Sequence, residues 1–263
     1  MKKRDCTPGS VLLILILSTL SCGIPSNPTP KSFIPTSTPM QVITELPAHQ
    51  MLSLVSTTLA ESGETPPYTI SAEIPFLEGS DEASVQFFNQ LVDGFIHGDI
   101  DNFRKIVLQD ATNSPAALGS SYDLHYARLS PLGDIISLKF EVNSYFEGAA
   151  HPGSYSLTIN FDLAAGQELR LEQLFVAGSN YLEVVATYCK TQLNLRNIDY
   201  FESGADPIPG NYRNWNITAD GLLISFDPYQ VAAYAAGPQI VLIPYKALYA
   251  IIDKSGPLAE ILE

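Results

Sequence analysis

An imidazole and a carboxylate, His151 and Asp227, offer the clearest acid–base chemistry in this chain. Brought together, they could act as a general base with its orienting acid, or hold a metal ion. Each sits in a run of unusual composition. The first run is Tyr145-Phe146-Glu147-Gly148-Ala149-Ala150-His151-Pro152-Gly153-Ser154-Tyr155, and the second extends from Phe226 to Gln239. Both combine aromatic rings with Gly, Ala and Pro, so that backbone and ring faces can closely approach a partner or each other. The candidate binding residues are Tyr145, His151, Tyr155, Asp227, Tyr229, Tyr234 and Gln239. The competing reading is that the tyrosines pack the core and the small residues let chain segments cross. His151 and Asp227 each precede a proline, which biases both toward extended backbone. That placement suits hydrogen bonds to backbone groups without ladder partners, and predicts structural rather than catalytic roles.

Other chemically suggestive groups have simpler explanations. Asp93, His97, Asp99 and Asp101 could supply nitrogen and oxygen ligands to a metal. They straddle Gly98, however, where one helix is expected to stop and an Asp to cap the next, so capping accounts for them and no metal is assigned. Cys189 falls on the apolar stripe of an expected helix and reads as a buried structural thiol. No Gly-x-Ser-x-Gly elbow and no phosphate-binding glycine loop is present, and no cofactor is expected. Asn216-Ile217-Thr218 is a glycosylation acceptor only in a glycosylating host.

The elements that must position the two runs follow from hydrophobic periodicity. Met51–Leu59 and Tyr68–Ile74 predict a hairpin turning at Glu61-Ser62-Gly63-Glu64 and ending at Pro75. Ser80-Asp81-Glu82 offers an N-cap to a helix whose apolar residues are Val85, Phe88, Leu91, Val92, Phe95 and Ile96. A second short helix is expected from Asp99 or Asp101 to Val107. Strict alternation then takes over. Ile136, Leu138, Phe140 and Val142 face one way in one strand, as do Tyr155, Leu157, Ile159, Phe161 and Leu163 in the next, and an antiparallel pairing is expected. A short strand with Leu169 and Leu171, a helix over 180–196, strands around Trp215–Ile217, Leu222–Phe226 and Gln239–Ile243, and a helix over 245–252 complete the order. Strands punctuated irregularly by helices give an α+β fold, antiparallel with a few packed helices and two lobes.

The N-terminus fixes the expected compartment. Lys2, Lys3 and Arg4 precede the apolar run Val11–Leu20, and Ser21-Cys22 follows it. That run is far short of the roughly 20 residues of a spanning helix and describes an export signal. The cysteine at the junction predicts lipoprotein processing, with lipid on Cys22 as the membrane attachment; Thr19 stands where such signals usually carry Leu, and plain secretory cleavage is the alternative. Residues 23–49 are rich in Pro, Ser and Thr, with little to bury, and form an extended tether. The expected organisation is therefore a signal at 1–21, a tether at 22–48, and lobes at 49–150 and 151–263. Removing residues 1–21 takes away three cations and one anion, moving the formal net charge from −14 to −16. Such a surface disfavours nucleic acid and is compatible with a cationic partner. Besides Cys22 the processed chain holds one thiol, Cys189, so no internal disulfide framework exists and a hydrophobic core must supply stability.

The two aromatic runs, with Asn160–Leu169 between them, resemble one family. It is the extracytoplasmic domain shared by RsiV-type anti-sigma factors, which respond to lysozyme, and the accessory region of PdaC-type peptidoglycan deacetylases. Gly148–Pro152 is similar to the family's Gly/Ala-rich stretch before His-Pro. Asn160, Asp162, Gly166 and Leu169 are similar to its strand–turn pattern, and Asp220–Pro238 to its Asp-Gly-Leu turn and aromatic-acid-Pro-Tyr run. Tyr68–Gly79 resembles the family's opening strand, and the likeness extends over most of Met51–Leu248. Only ten residues precede the apolar run, leaving no room for a sigma-binding region, and nothing resembles the deacetylases' catalytic domain. The resemblance thus implies a non-catalytic surface lipoprotein binding a lysozyme-like cationic protein or peptidoglycan. The alternative is an accessory enzyme of cell-wall modification, of hydrolase or deacetylase type, using His151 and Asp227.

Overall fold

A computed structural model describes residues 52–110, 119–130, 133–196 and 198–262. The signal segment, Cys22 and the tether lie outside the described residues. Among the described residues no helix is long and apolar enough to cross a membrane.

The first core is a mixed sheet covered by one helix. Strands β1 (Ser53–Glu64) and β2 (Pro67–Glu78) pair antiparallel along their whole length. The turn therefore falls at Thr65–Pro66, beyond the expected Glu61–Glu64. Glu61 is kept in the strand because its carboxylate accepts the Tyr68 hydroxyl at 2.7 Å and Arg104 Nε at 3.0 Å. Nor does Pro75 end β2. The neighbouring β3 (Ser120–Arg128) pairs with β2 only over Tyr68–Ala72, so at Pro75 no strand lies there to miss its absent N–H. β4 (Ile135–Tyr145), β5 (Gly153–Asp162) and the two-residue β6 (Gln167–Glu168) continue the sheet antiparallel, as their alternation predicts. The β2–β3 pair is parallel, since α1 (Ala83–Asp110) carries the chain across the sheet between them.

α1 is one helix, where two had been expected. Val85, Phe88, Val92, Ile96, Ile100, Phe103 and Val107 are all buried at spacings of three and four, so the stripe runs straight through Gly98. A helical glycine costs about 1 kcal/mol. Burying each large apolar side chain beyond it returns about 1.5–3 kcal/mol, and packing wins. The stripe meets Ile70, Tyr122, Leu138, Phe140, Ile159 and Phe161 of the sheet.

The second core is smaller. β7 (Trp215–Ile217), β8 (Gly221–Phe226) and β9 (Gln239–Pro244) form an antiparallel sheet, and α2 (Tyr181–Asn194) contributes Val185, Ala186, Cys189 and Leu193 to the shared cluster. The thiol of Cys189 is buried, and burial pushes it up to about 12. The expected closing helix over 245–252 stops after one turn as α3 (Tyr245–Leu248), and a further short helix, α4 (Ala259–Leu262), follows it. Leu171, expected in a strand, begins a short 3-10 turn. The first cluster draws on residues from Ile70 to Leu163 and the second from Leu169 to Leu258. The chain thus passes from one core to the other after β5, rather than at residue 150, because β5 is held in the first sheet by β4.

A buried polar seam fixes β7 across β4 and β5. The Ser137 hydroxyl donates to Asn160 Oδ1 at 2.6 Å and accepts from Asn216 Nδ2 at 2.9 Å and the Ile217 N–H at 3.0 Å. Asn160 Nδ2 donates to the Trp215 carbonyl at 2.9 Å. Asn216 is wholly buried in this seam, so its glycosylation sequon is closed in the folded chain.

Candidate functional site

The turn between β4 and β5 and the loop between β8 and β9 meet at the surface. The His151 ring stacks on Tyr234, with centroids 4.0 Å apart and planes inclined by 26°. Tyr229 leans on Tyr234 at 5.6 Å and 30°. The Tyr234 hydroxyl donates to the Pro152 carbonyl at 2.8 Å, tying one loop to the other. His151 Nδ1 lies 2.9 Å from the same carbonyl, which can only accept, so Nδ1 carries the proton. Nε2 faces the Tyr229 hydroxyl at a long 3.4 Å.

Tyr229 is the unusual member. It is 60% exposed, and its φ of 68° lies in the left-handed region that a bulky L-residue seldom adopts. A strained backbone presenting an uncovered aromatic ring is the kind of outlier that clusters at functional sites. The loop that holds it is fastened from both ends. Gln230 Nε2 donates to the carbonyls of Gly204 and Asn211 at 3.1 and 2.9 Å. Gln239 Nε2 donates to Ala236 O at 2.8 Å.

Asp227 lies beneath the cluster, almost fully buried. Its Oδ1 accepts the backbone N–H of Ser156 at 2.8 Å, and its Oδ2 accepts from Asn214 Nδ2 at 3.1 Å and Arg213 Nη2 at 3.4 Å. β6 covers β5 only at Phe161 and Asp162, so the edge of β5 at Ser156 has no strand partner. The carboxylate supplies the missing acceptor from the other core. No hydrogen bond joins His151 to Asp227, and both groups are engaged elsewhere.

Three of the seven candidates therefore form the surface cluster, and Asp227 supports it. The other three are corrected. Tyr155 points toward α1, where its hydroxyl donates to Asp99 Oδ2 at 2.7 Å beside that of Tyr122 at 2.6 Å. Burial first, and the Asp99 carboxylate second, push both phenols above the ordinary tyrosine range. Gln239 is buried and accepts from Arg196 Nη1 at 2.7 Å, which makes it a fastening of the loop. Tyr145 is half-buried at the end of β4, opposite Ser121, and takes no part in the ring contacts.

The acidic group around His97 is dispersed in the same way. His97 Nδ1 is 3.0 Å from the Asp93 carbonyl and 3.3 Å from its carboxylate, and Asp101 pairs with Arg104. Asp99, expected as a cap, lies inside α1 and accepts two tyrosine hydroxyls. Among the described residues no three His, Cys, Asp or Glu side chains are grouped to hold a metal. Arg213 and Asn214, which meet Asp227, were missed in the sequence. The signal available was two long polar side chains just before the buried run Trp215–Ile217.

Comparison with known proteins agrees with this architecture. Over 192 residues the chain is 23% identical to the immunogenic protein MPT64 of Mycobacterium tuberculosis, covering 71% of this chain and 79% of that protein. It is 26% identical over 204 residues to the peptidoglycan-N-acetylmuramic acid deacetylase PdaC of Bacillus subtilis. That match covers 75% of this chain but only 41% of PdaC. A crystal structure of a DUF3298 family member from Bacteroides fragilis superposes with a TM-score of 0.60 at 15% identity, covering 81% of this chain and 97% of that one. Residues 172–246, from the turn before α2 to the start of α3, match the family described as "Protein of unknown function (DUF3298)", and the likeness to PdaC agrees with the resemblance seen in the sequence.

Proposed function

We propose that this chain is a non-catalytic, extracytoplasmic binding module, lipid-anchored through Cys22, that engages a cationic protein of lysozyme type or peptidoglycan. The carrying observation is the exposed cluster of His151, Tyr229 and Tyr234 with Tyr229 held in the left-handed region. Exposed, prepositioned rings offer large contact area at low entropic cost and are characteristic anchors of binding surfaces. The acidic chain favours a basic partner and would speed its approach. The likeness to a deacetylase named for peptidoglycan supports a role outside the membrane, at the wall. The catalytic alternative needs His151 oriented by a carboxylate, and Asp227 instead holds Ser156, Asn214 and Arg213.

Calorimetric titration of the full-length protein in detergent with lysozyme and with soluble peptidoglycan fragments, at two salt concentrations, tests this reading. One of the two is expected to bind, and Tyr229→Ala with Tyr234→Ala to weaken it at least tenfold. Flat titrations with both would refute it.

A further inference from the structure

Beside the second core, where Asp162 of β5 and Gln167 of β6 also contribute lining, lies an open cleft of about 700 Å³ that shares no residue with the aromatic cluster. Its floor is built where the segment after the 3-10 turn meets the chain beyond α3. The Val176 N–H donates to the Ile251 carbonyl at 2.8 Å, and the Asp253 N–H to the Leu174 carbonyl at 3.0 Å. Phe175 is buried there, and Tyr181, the first residue of α2, lies flat on it with centroids 5.0 Å apart and planes inclined by 13°. The result is a rigid, half-exposed ring in the cleft wall.

The rest of the lining mixes small and apolar residues, Val176 to Gly178 and Gly256-Pro257, with polar side chains whose charges are all negative. Asp162, Glu172 and Asp253 contribute carboxylates, Gln167 and Gln173 amides, and no Lys, Arg or His lines the cleft. Asp253 Oδ1 accepts the Ser255 hydroxyl at 2.7 Å and its N–H at 3.0 Å; these two bonds hold the carboxyl below its ordinary value. Oδ2 makes no hydrogen bond with the described residues. For Glu172, burial opposes the charge, but its own backbone N–H and the Arg170 guanidinium, 2.6 Å away, outweigh it and keep the carboxyl below its ordinary value. The Ser179 hydroxyl, also in the lining, is shielded from solvent and lacks a hydrogen-bond partner.

These features select a ligand chemistry. An aromatic ring beside amides and a lone hydroxyl suits a sugar, which offers C–H faces to stack and hydroxyls to donate. Glu172 is paired with Arg170, but among the described residues no cation pairs with Asp253, whose carboxylate repels acidic sugars and attracts an amine. A metal ion fits poorly, since among the described residues no three ligating side chains are grouped for one. We propose that this cleft binds an amino sugar carrying a free amine, within a glycan chain, with Tyr181 as the stacking platform and Asp253 as the partner of the ammonium. The site shares no residue with the aromatic cluster and does not depend on the function proposed for it.

The test is calorimetric titration of the full-length protein in detergent with a glucosamine tetramer, its fully N-acetylated counterpart and spermidine. The glucosamine tetramer is expected to bind at least tenfold more tightly than either of the others. Asp253→Asn, which keeps an acceptor for Ser255, should weaken it about tenfold, as should Tyr181→Leu. If Asp253→Asn fails to fold, Asp253→Ser, which keeps a hydroxyl acceptor and removes the charge, gives the same readout. The proposal is overturned by no binding of the glucosamine tetramer, by equal binding of the acetylated tetramer, by equal binding of spermidine, or by full affinity in the carboxylate variant.

Discussion

Asp227, just past the end of β8, accepts the backbone N–H of Ser156 on the open edge of β5 at 2.8 Å, joining the two sheets beneath the aromatic cluster. Removing that carboxylate strands a buried N–H and frees Asn214 and Arg213. Asp227→Ala is expected to lower stability by about 1–3 kcal/mol, the usual cost of an orphaned buried group. His151 is exposed and contributes mainly a ring contact, so His151→Ala should cost less, about 0.5–1.5 kcal/mol. Urea denaturation of both variants checks the order; equal losses would contradict it.

The left-handed backbone of Tyr229 predicts an opposition between stability and binding. Glycine reaches that conformation without the penalty of about 1–2 kcal/mol borne by other residues. Tyr229→Gly should therefore be more stable than Tyr229→Ala, by about 1 kcal/mol after allowing for glycine's greater freedom when unfolded. Both should lose the same ligand. Thermal melts of the two variants side by side decide it.

Asp99 and its two tyrosines govern the alkaline limit. The phenols of Tyr122 and Tyr155, raised first by burial and then by Asp99, keep their protons in the folded chain above the ordinary value of 10.0, where the unfolded chain ionises. The folded state then binds more protons than the unfolded one, so stability is full below about pH 10 and falls as pH rises above it. Tyr155→Phe should flatten this decline. Denaturation midpoints between pH 8 and 11 in the parent and the variant give the comparison.

Glu61 acts at the other end of the scale. Hydrogen bonds from Arg104 and then Tyr68 hold its carboxyl below the ordinary 4.5. Its contribution is present above pH 4.5 and is lost as pH falls toward the lowered folded value. Glu61→Gln should remove part of the acid sensitivity between pH 5 and 3, a change visible in acid unfolding followed by circular dichroism.

What could be read from the residues was periodic or local. The buried face of α1, the alternation of β4 and β5, and the burial of Cys189 all follow from spacing alone. Gly98 misled because its helix cost is set against three buried apolar side chains farther along the same stripe, Ile100, Phe103 and Val107. Pro75 misled because a proline is harmful only where a partner strand needs its N–H. The site was half legible: composition singled out the two loops, and they do meet. Which tyrosines face outward was not, since Tyr155 and Tyr229 differ only in what lies opposite them. Asp99 and Ser156 are 56 and 71 residues from their partners Tyr155 and Asp227. Only the packing of α1 and β8 against β5 brings them there.

The central claim is that the face of His151, Tyr229 and Tyr234 is where ligand sits. Amide hydrogen exchange on the full-length protein, with and without saturating lysozyme or peptidoglycan fragments, addresses it directly. Slowed exchange in residues 149–155 and 229–237, and little change in β1 and α1, is the predicted result. Protection confined to other segments while these two loops exchange as before would contradict it.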